Sequence, residues 1–146
     1  MKPKFKQAFM DAAERFAQLS YAQRLKVGCI IVKEDRIISI GYNGMPTGWE
    51  NDCEEYHTTI DNDGNQTIES TTKPEVLHAE SNAIAKLARS PESGNDAAIF
   101  VTHSPCINCA KLIYQSGITA VYYRNDYRDP TGLEFLRKCD VTVEQV

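Results

Sequence analysis

Residues 97–123 read Ala97-Ala-Ile-Phe-Val-Thr-His-Ser-Pro-Cys-Ile-Asn-Cys-Ala-Lys-Leu-Ile-Tyr-Gln-Ser-Gly-Ile-Thr-Ala-Val-Tyr-Tyr123, and this stretch decides the fold. The apolar run Ala97–Thr102 predicts a strand, Cys106–Gln115 a helix, and Thr119–Tyr123 a second strand. A strand–helix–strand unit closes through a right-handed crossover and sets its strands parallel in one sheet. The pattern continues on both sides. Leu77–Arg89 predicts a helix, and a short helix at Thr131–Lys138 leads into a last strand near Val141–Glu144. Upstream, the β-branched runs Val27–Val32 and Ile37–Gly41, joined by the charged turn Lys33-Glu-Asp-Arg36, read as an antiparallel hairpin. The sum is an α/β domain with a mixed sheet and helices on its faces.

Two segments lie outside this alternation. Phe5, Phe9, Ala12, Phe16 and Leu19 recur at steps of four and three, which predicts an amphipathic helix covering the core with that face. Residues 43–76 form an insertion. It opens with the turn-rich Asn43-Gly-Met-Pro-Thr-Gly48, and its polar stretch Cys53–Lys73 centres on Asp61-Asn-Asp-Gly64. It is too long to be a connector, so it reads as a functional loop or a flap.

With 146 residues, the chain has room for one domain spanning 1–146. Sixteen Lys and Arg against twenty Asp and Glu leave a net charge of −4, which argues against a non-specific nucleic-acid binder. No apolar run approaches the ~18 residues of a membrane helix. No apolar signal core follows the basic Met1-Lys-Pro-Lys-Phe-Lys6, so the expectation is a cytoplasmic protein. Five cysteines, an odd number, then point to metal binding or catalysis rather than a disulfide framework.

Two motifs carry that chemistry. His78-Ala-Glu80 opens one predicted helix and Pro105-Cys-Ile-Asn-Cys109 opens the next. Cysteines three apart in a first helical turn point the same way and can share one metal, with Ser104 as the expected N-cap and Pro105 at the helix entry. The helix dipole favours their thiolates. His78 supplies a third ligand. One imidazole and two thiolates neutralise a zinc dication and leave the fourth position for water, whose pKa then falls to roughly 7. Glu80 sits beside that position as the general base and acid. A structural site would instead recruit a fourth protein ligand from Cys53, His57 or His103. Cys53 and His57 could also hold a second metal. Cys29 and Cys139 read as core thiols, and His103 as a strand-end residue on the pocket wall.

His-x-Glu with Pro-Cys-x-x-Cys is the signature of zinc nucleobase deaminases. Over residues 27–143 the chain resembles the deoxycytidylate (dCMP) deaminase family of the cytidine-deaminase-like superfamily. The resemblance rests on Gly41-Tyr-Asn-Gly-Met-Pro-Thr-Gly48, His78-Ala-Glu-Ser-Asn-Ala-Ile84, Ser104-Pro-Cys-Ile-Asn-Cys-Ala-Lys-Leu-Ile113 and Gln115-Ser-Gly-Ile-Thr-Ala-Val121. It implies a three-layer α/β/α fold around a five-stranded mixed sheet. It also implies hydrolysis of dCMP to dUMP and ammonia, which supplies dUMP for dTMP synthesis, with Glu80 protonating N3 and then helping the amine leave. In that reading Asn43 contacts the deoxyribose, the Ala79 backbone contacts the base, and Ser104 belongs to the pocket wall. Tyr127 and Arg128 are candidates for the 5′-phosphate.

The resemblance further implies a hexamer, activated by dCTP and inhibited by dTTP with magnesium. Arg24, Lys26, Asn43, Gly44 and Gly48 are the candidates for the triphosphate site. Two other readings share the motifs: a tRNA adenosine deaminase, which the acidity disfavours, and a non-catalytic, zinc-stabilised nucleotide-binding protein.

Overall fold

A computed structural model describes residues 1–146. The chain runs α1 (Pro3–Ala17), β1 (Gly28–Lys33), β2 (Arg36–Tyr42), β3 (Glu54–Ile60), β4 (Gln66–Thr72), α2 (Ala79–Ala88), β5 (Ala98–His103), α3 (Ile107–Gln115), β6 (Ala120–Asn125), α4 (Thr131–Lys138) and β7 (Thr142–Gln145). Five strands make one sheet in the order β2-β1-β5-β6-β7. β1 pairs antiparallel with β2 and β5, whereas β5, β6 and β7 run parallel. This is the mixed sheet expected, and the stretch quoted above supplies its first parallel pair, β5 and β6. No helix is long and apolar enough to cross a membrane.

Strand alternation sorts the core into two layers. Cys29, Ile31, Ile99, Val101 and Val121 face α2, α3 and α4, where Ala79, Ala83, Ala110, Ile113 and Leu136 meet them. Ile30, Val32, Phe100 and Tyr122 face α1. A central strand covered on both sides must be apolar throughout, which is why Cys29–Val32 contains no polar residue. Cys139 is half-buried against the first layer.

The face of α1 differs from the expected one. Met10, Ala13 and Ala17 are its buried residues, Phe9, Ala12 and Phe16 flank them, and Phe5 and Leu19 are exposed. The reason is close backbone approach. A Cβ on Gly28 would lie 2.0 Å from Ala13 O and 2.5 Å from Ala17 N, so the helix sets its small residues on β1. Phe9 and Phe16 pack at the edge of this layer, with the Phe9 ring 5.5 Å from that of Phe100, so part of the expected face does meet the core.

The polar insertion contains an ordered hairpin rather than a bare loop. β3 and β4 pair from Glu54↔Thr72 to Ile60↔Gln66 as a separate two-stranded sheet. Asp61 Oδ1 closes its turn by accepting the N–H groups of Asp63 at 2.9 Å and Asn65 at 2.8 Å. Its strands are mostly exposed. Tyr56, Ile60 and Ile68 share one face, but with polar residues between them they are too sparse to mark a strand alternation in the sequence.

β2 positions the start of α2 in the same way that β1 seats α1. A Cβ on Gly41 would stand 2.1 Å from Ala79 O and 2.8 Å from Ala83 N. Gly41→Ala must therefore push α2 away, along with the residues at its N-terminus. The expected cost is about 1–3 kcal/mol, seen as a lower thermal midpoint; an unchanged midpoint would refute the close approach.

Candidate active site

The N-termini of α2 and α3 meet, and each presents ligand-type side chains from its first residues. His78 is the N-cap of α2, in extended conformation, and its side chain makes no capping hydrogen bond. Cys106 is the N-cap of α3, and its Sγ accepts the N–H of Cys109 at 3.5 Å. This corrects the expectation of Ser104 as the cap and Pro105 at the helix entry. Ser104 Oγ instead accepts the N–H of Tyr127 at 2.7 Å and holds the loop after β6.

The three ligand atoms of His78, Cys106 and Cys109 lie within 4.8 Å of one another, and no other His, Cys, Asp or Glu joins them. His78 Nδ1 is 3.6 Å from Cys106 Sγ and 3.4 Å from Cys109 Sγ. A tetrahedral zinc ion bound by sulfur at ~2.3 Å and nitrogen at ~2.0 Å sets those atoms about 3.5 Å apart. The donor set therefore fits zinc in both chemistry and spacing. Of the suggested fourth ligands, His103 Nδ1 meets Thr102 Oγ1 at 3.2 Å, and His57 is exposed beside Thr71 Oγ1 at 3.2 Å. Cys53 is buried, with its thiol on Asn51 O at 3.4 Å. With Cys53 buried and His57 exposed, each side chain is engaged elsewhere and neither joins the cluster. Three protein ligands leave the fourth position for a reactant.

Electrostatics fit the same use. Hydrogen bonds from Cys109 and His78 bring the Cys106 thiol down to about 4, so Cys106 is a thiolate at neutral pH. Its bond to Cys106 pushes the Cys109 thiol up, and the bond to Cys106 raises the imidazolium of His78. Metal binding displaces these protons. Glu80, in the first turn of α2, is 5% exposed, and burial pushes its carboxyl up to about 7. A carboxyl in that range can both take and return a proton.

These groups open onto a cavity of about 740 Å³. His78, Ala79, Glu80 and Cys106 form one part of its wall, and Ser104, His103, Tyr127 and Arg128 another. Asn43, Arg24 and Leu25 also border it, whereas Lys26, Gly44 and Gly48 do not. Asn43 braces that side: its Oδ1 accepts the Val27 N–H and its Nδ2 donates to Leu25 O, both at 2.8 Å. Ser20 Oγ adds a bond to Asn43 O at 2.8 Å. Sequence reasoning missed Glu54, a buried acid on this wall. It looks like one more member of the acidic run Asp52-Cys-Glu-Glu55, and no spacing signal sets it apart.

The family described as "Cytidine and deoxycytidylate deaminase zinc-binding region" matches residues 3–125. The crystal structure of dCMP deaminase from the cyanophage S-TIM5, in complex with dCMP and dUMP, superposes with a TM-score of 0.88 at 45% identity, covering 100% of this chain and 99% of that one. The ComE operon protein 2 of Bacillus subtilis is 40% identical over 141 residues, 96% of this chain and 70% of that protein. The deoxycytidylate deaminase of Saccharomyces cerevisiae is 35% identical over 146 residues. The chain spans 46% of that longer yeast enzyme.

Proposed function

The chain belongs to the cytidine and deoxycytidylate deaminase family, and from that premise we propose that it hydrolyses dCMP to dUMP and ammonia. The observation that carries this reading is the three-ligand cluster beside a buried acid at the wall of a nucleotide-sized cavity. His78 Nδ1, Cys106 Sγ and Cys109 Sγ would hold the zinc ion. Zinc, when bound, supplies Lewis-acid activation of water. Glu80 would take a proton from the attacking water and pass it to N3 of cytosine as the C4–O bond forms. It would then move the second proton to the amine, which leaves as ammonia as the C4–N bond breaks. Burial suits it to both directions of transfer. Ser104 and the Ala79 backbone border the base, while Tyr127 and Arg128 receive the phosphate. Arg24, an effector-site candidate in the sequence, opens on the same cavity and offers a second guanidinium.

Regulation by dCTP and dTTP with magnesium belongs to the same proposal, centred on residues 43–48 with Arg24 and Lys26. A backbone pairing supports it. Gly44 N–H donates to Leu77 O at 3.1 Å, and Leu77 N–H returns the bond to Gly44 O at 2.8 Å. Any pull on this loop reaches the residue beside His78. Assembly into a homo-oligomer is part of this reading, supported by exposed Tyr21, Trp49, Ile60 and Ile68.

Ammonia release from dCMP, CMP, cytidine and a tRNA anticodon stem, each with and without dCTP, tests the substrate class. We expect dCMP to give the highest kcat/KM. Preference for the tRNA stem would replace the nucleotide reading, and nucleotide binding without any turnover would favour the non-catalytic one.

A further inference from the structure

Only two carboxylates are buried, Glu80 and Glu54, and the proposed reaction leaves Glu54 without a role. Glu54 is 2% exposed at the first position of β3, where the hairpin leaves the body of the domain. Its Oε1 accepts the N–H groups of Gln23 at 2.8 Å and Arg24 at 3.1 Å. Its Oε2 is equally buried and finds no partner within the protein. The neighbouring thiol does not serve it, because Cys53 Sγ donates to Asn51 O. A buried carboxylate oxygen without a donor is costly, and Glu54 lies on the wall of the catalytic cavity.

The ligand's chemistry identifies what could complete it. A carboxylate oxygen needs a donor and repels phosphate. A deoxycytidine monophosphate carries two kinds of donor: the exocyclic amine and the sugar 3′-hydroxyl. The amine is the group displaced at the His78–Cys106–Cys109 cluster. We infer that Glu54 Oε2 accepts the 3′-hydroxyl of the bound deoxynucleotide, which makes Glu54 a specificity-determining residue. Its Oε1 meanwhile holds the 23–24 backbone and seats Arg24 at the cavity edge. The assignment rests on the dCMP reading of the cavity.

The test compares dCMP with 2′,3′-dideoxy-CMP on the zinc-loaded full chain, in wild type and Glu54→Gln. Loss of the hydroxyl should lower wild-type kcat/KM about 10- to 100-fold, the scale of a hydrogen bond to a charged group. Glu54→Gln keeps an acceptor for the 23–24 backbone and turns a donor toward the ligand. It should lower kcat/KM for dCMP far more than for the dideoxy substrate, so that discrimination falls toward one. Equal loss on both substrates would reduce Glu54 to a brace and overturn the inference. A wild type that treats the two alike overturns it too, even if the variant does not fold. Calorimetric binding of dUMP and 2′,3′-dideoxy-UMP reads the same ratio without turnover. Discrimination in binding with no deamination would sink the dCMP reaction and keep Glu54, whereas deamination without discrimination would do the reverse.

Discussion

Glu80→Gln should lower kcat for dCMP about 10²- to 10⁴-fold while zinc stays bound at the wild-type level. The substitution preserves shape and removes the ionisable proton. Glu80 lies outside the ligand cluster, so metal content has no reason to change. Its burial means that no bulk water replaces it as a proton carrier. Of the titratable groups acting on Glu80, His78, Cys106 and Cys109 would be committed to the metal. Metal analysis alongside single-turnover kinetics separates the roles. Loss of zinc together with activity would recast Glu80 as a ligand or a brace, and an unchanged kcat would remove it from the reaction.

Cys109→Ser should lower zinc affinity more than about 100-fold and bring deamination to background. Even residues behind metal ligands change affinity 10- to 100-fold, so a ligand itself should exceed that. Cys109 is the cleaner target because Cys106 also caps α3, and its loss would add about 1 kcal/mol of helix destabilisation. Chelation of the wild type should abolish turnover, with recovery on adding zinc, whereas Cys109→Ser should not recover at the same zinc concentration. Zinc content and activity that survive in Cys109→Ser would place the catalytic metal elsewhere.

The order of strands and helices was legible because each buried strand is an apolar run and α2 and α3 each begin at a motif. Residues 97–123 carry the first parallel pair of the sheet, β5 and β6, and β7 extends it. The working face of α1 was not legible. Phenylalanine periodicity suggested one face, but Gly28 admits the backbone so closely that Ala13 and Ala17 turn inward. The hairpin β3–β4 escaped notice because its few apolar residues, Tyr56, Ile60 and Ile68, are too sparse to make an alternation. At the site, Pro105-Cys-Ile-Asn-Cys109 and His78-Ala-Glu80 could be read because metal ligation demands fixed spacing. Residues that reach the cavity wall only through the packing of distant segments, such as Leu25 and Glu54, follow no such rule and needed the fold.

The central claim is hydrolytic deamination of a free deoxynucleotide at this centre. Incubating the zinc-loaded protein with dCMP in oxygen-18 water, with and without dCTP, and weighing the product by mass spectrometry tests it most directly. The account predicts dUMP carrying one solvent oxygen at C4, with ammonia released in equal amount. Recovery of dCMP unchanged under every condition would contradict it.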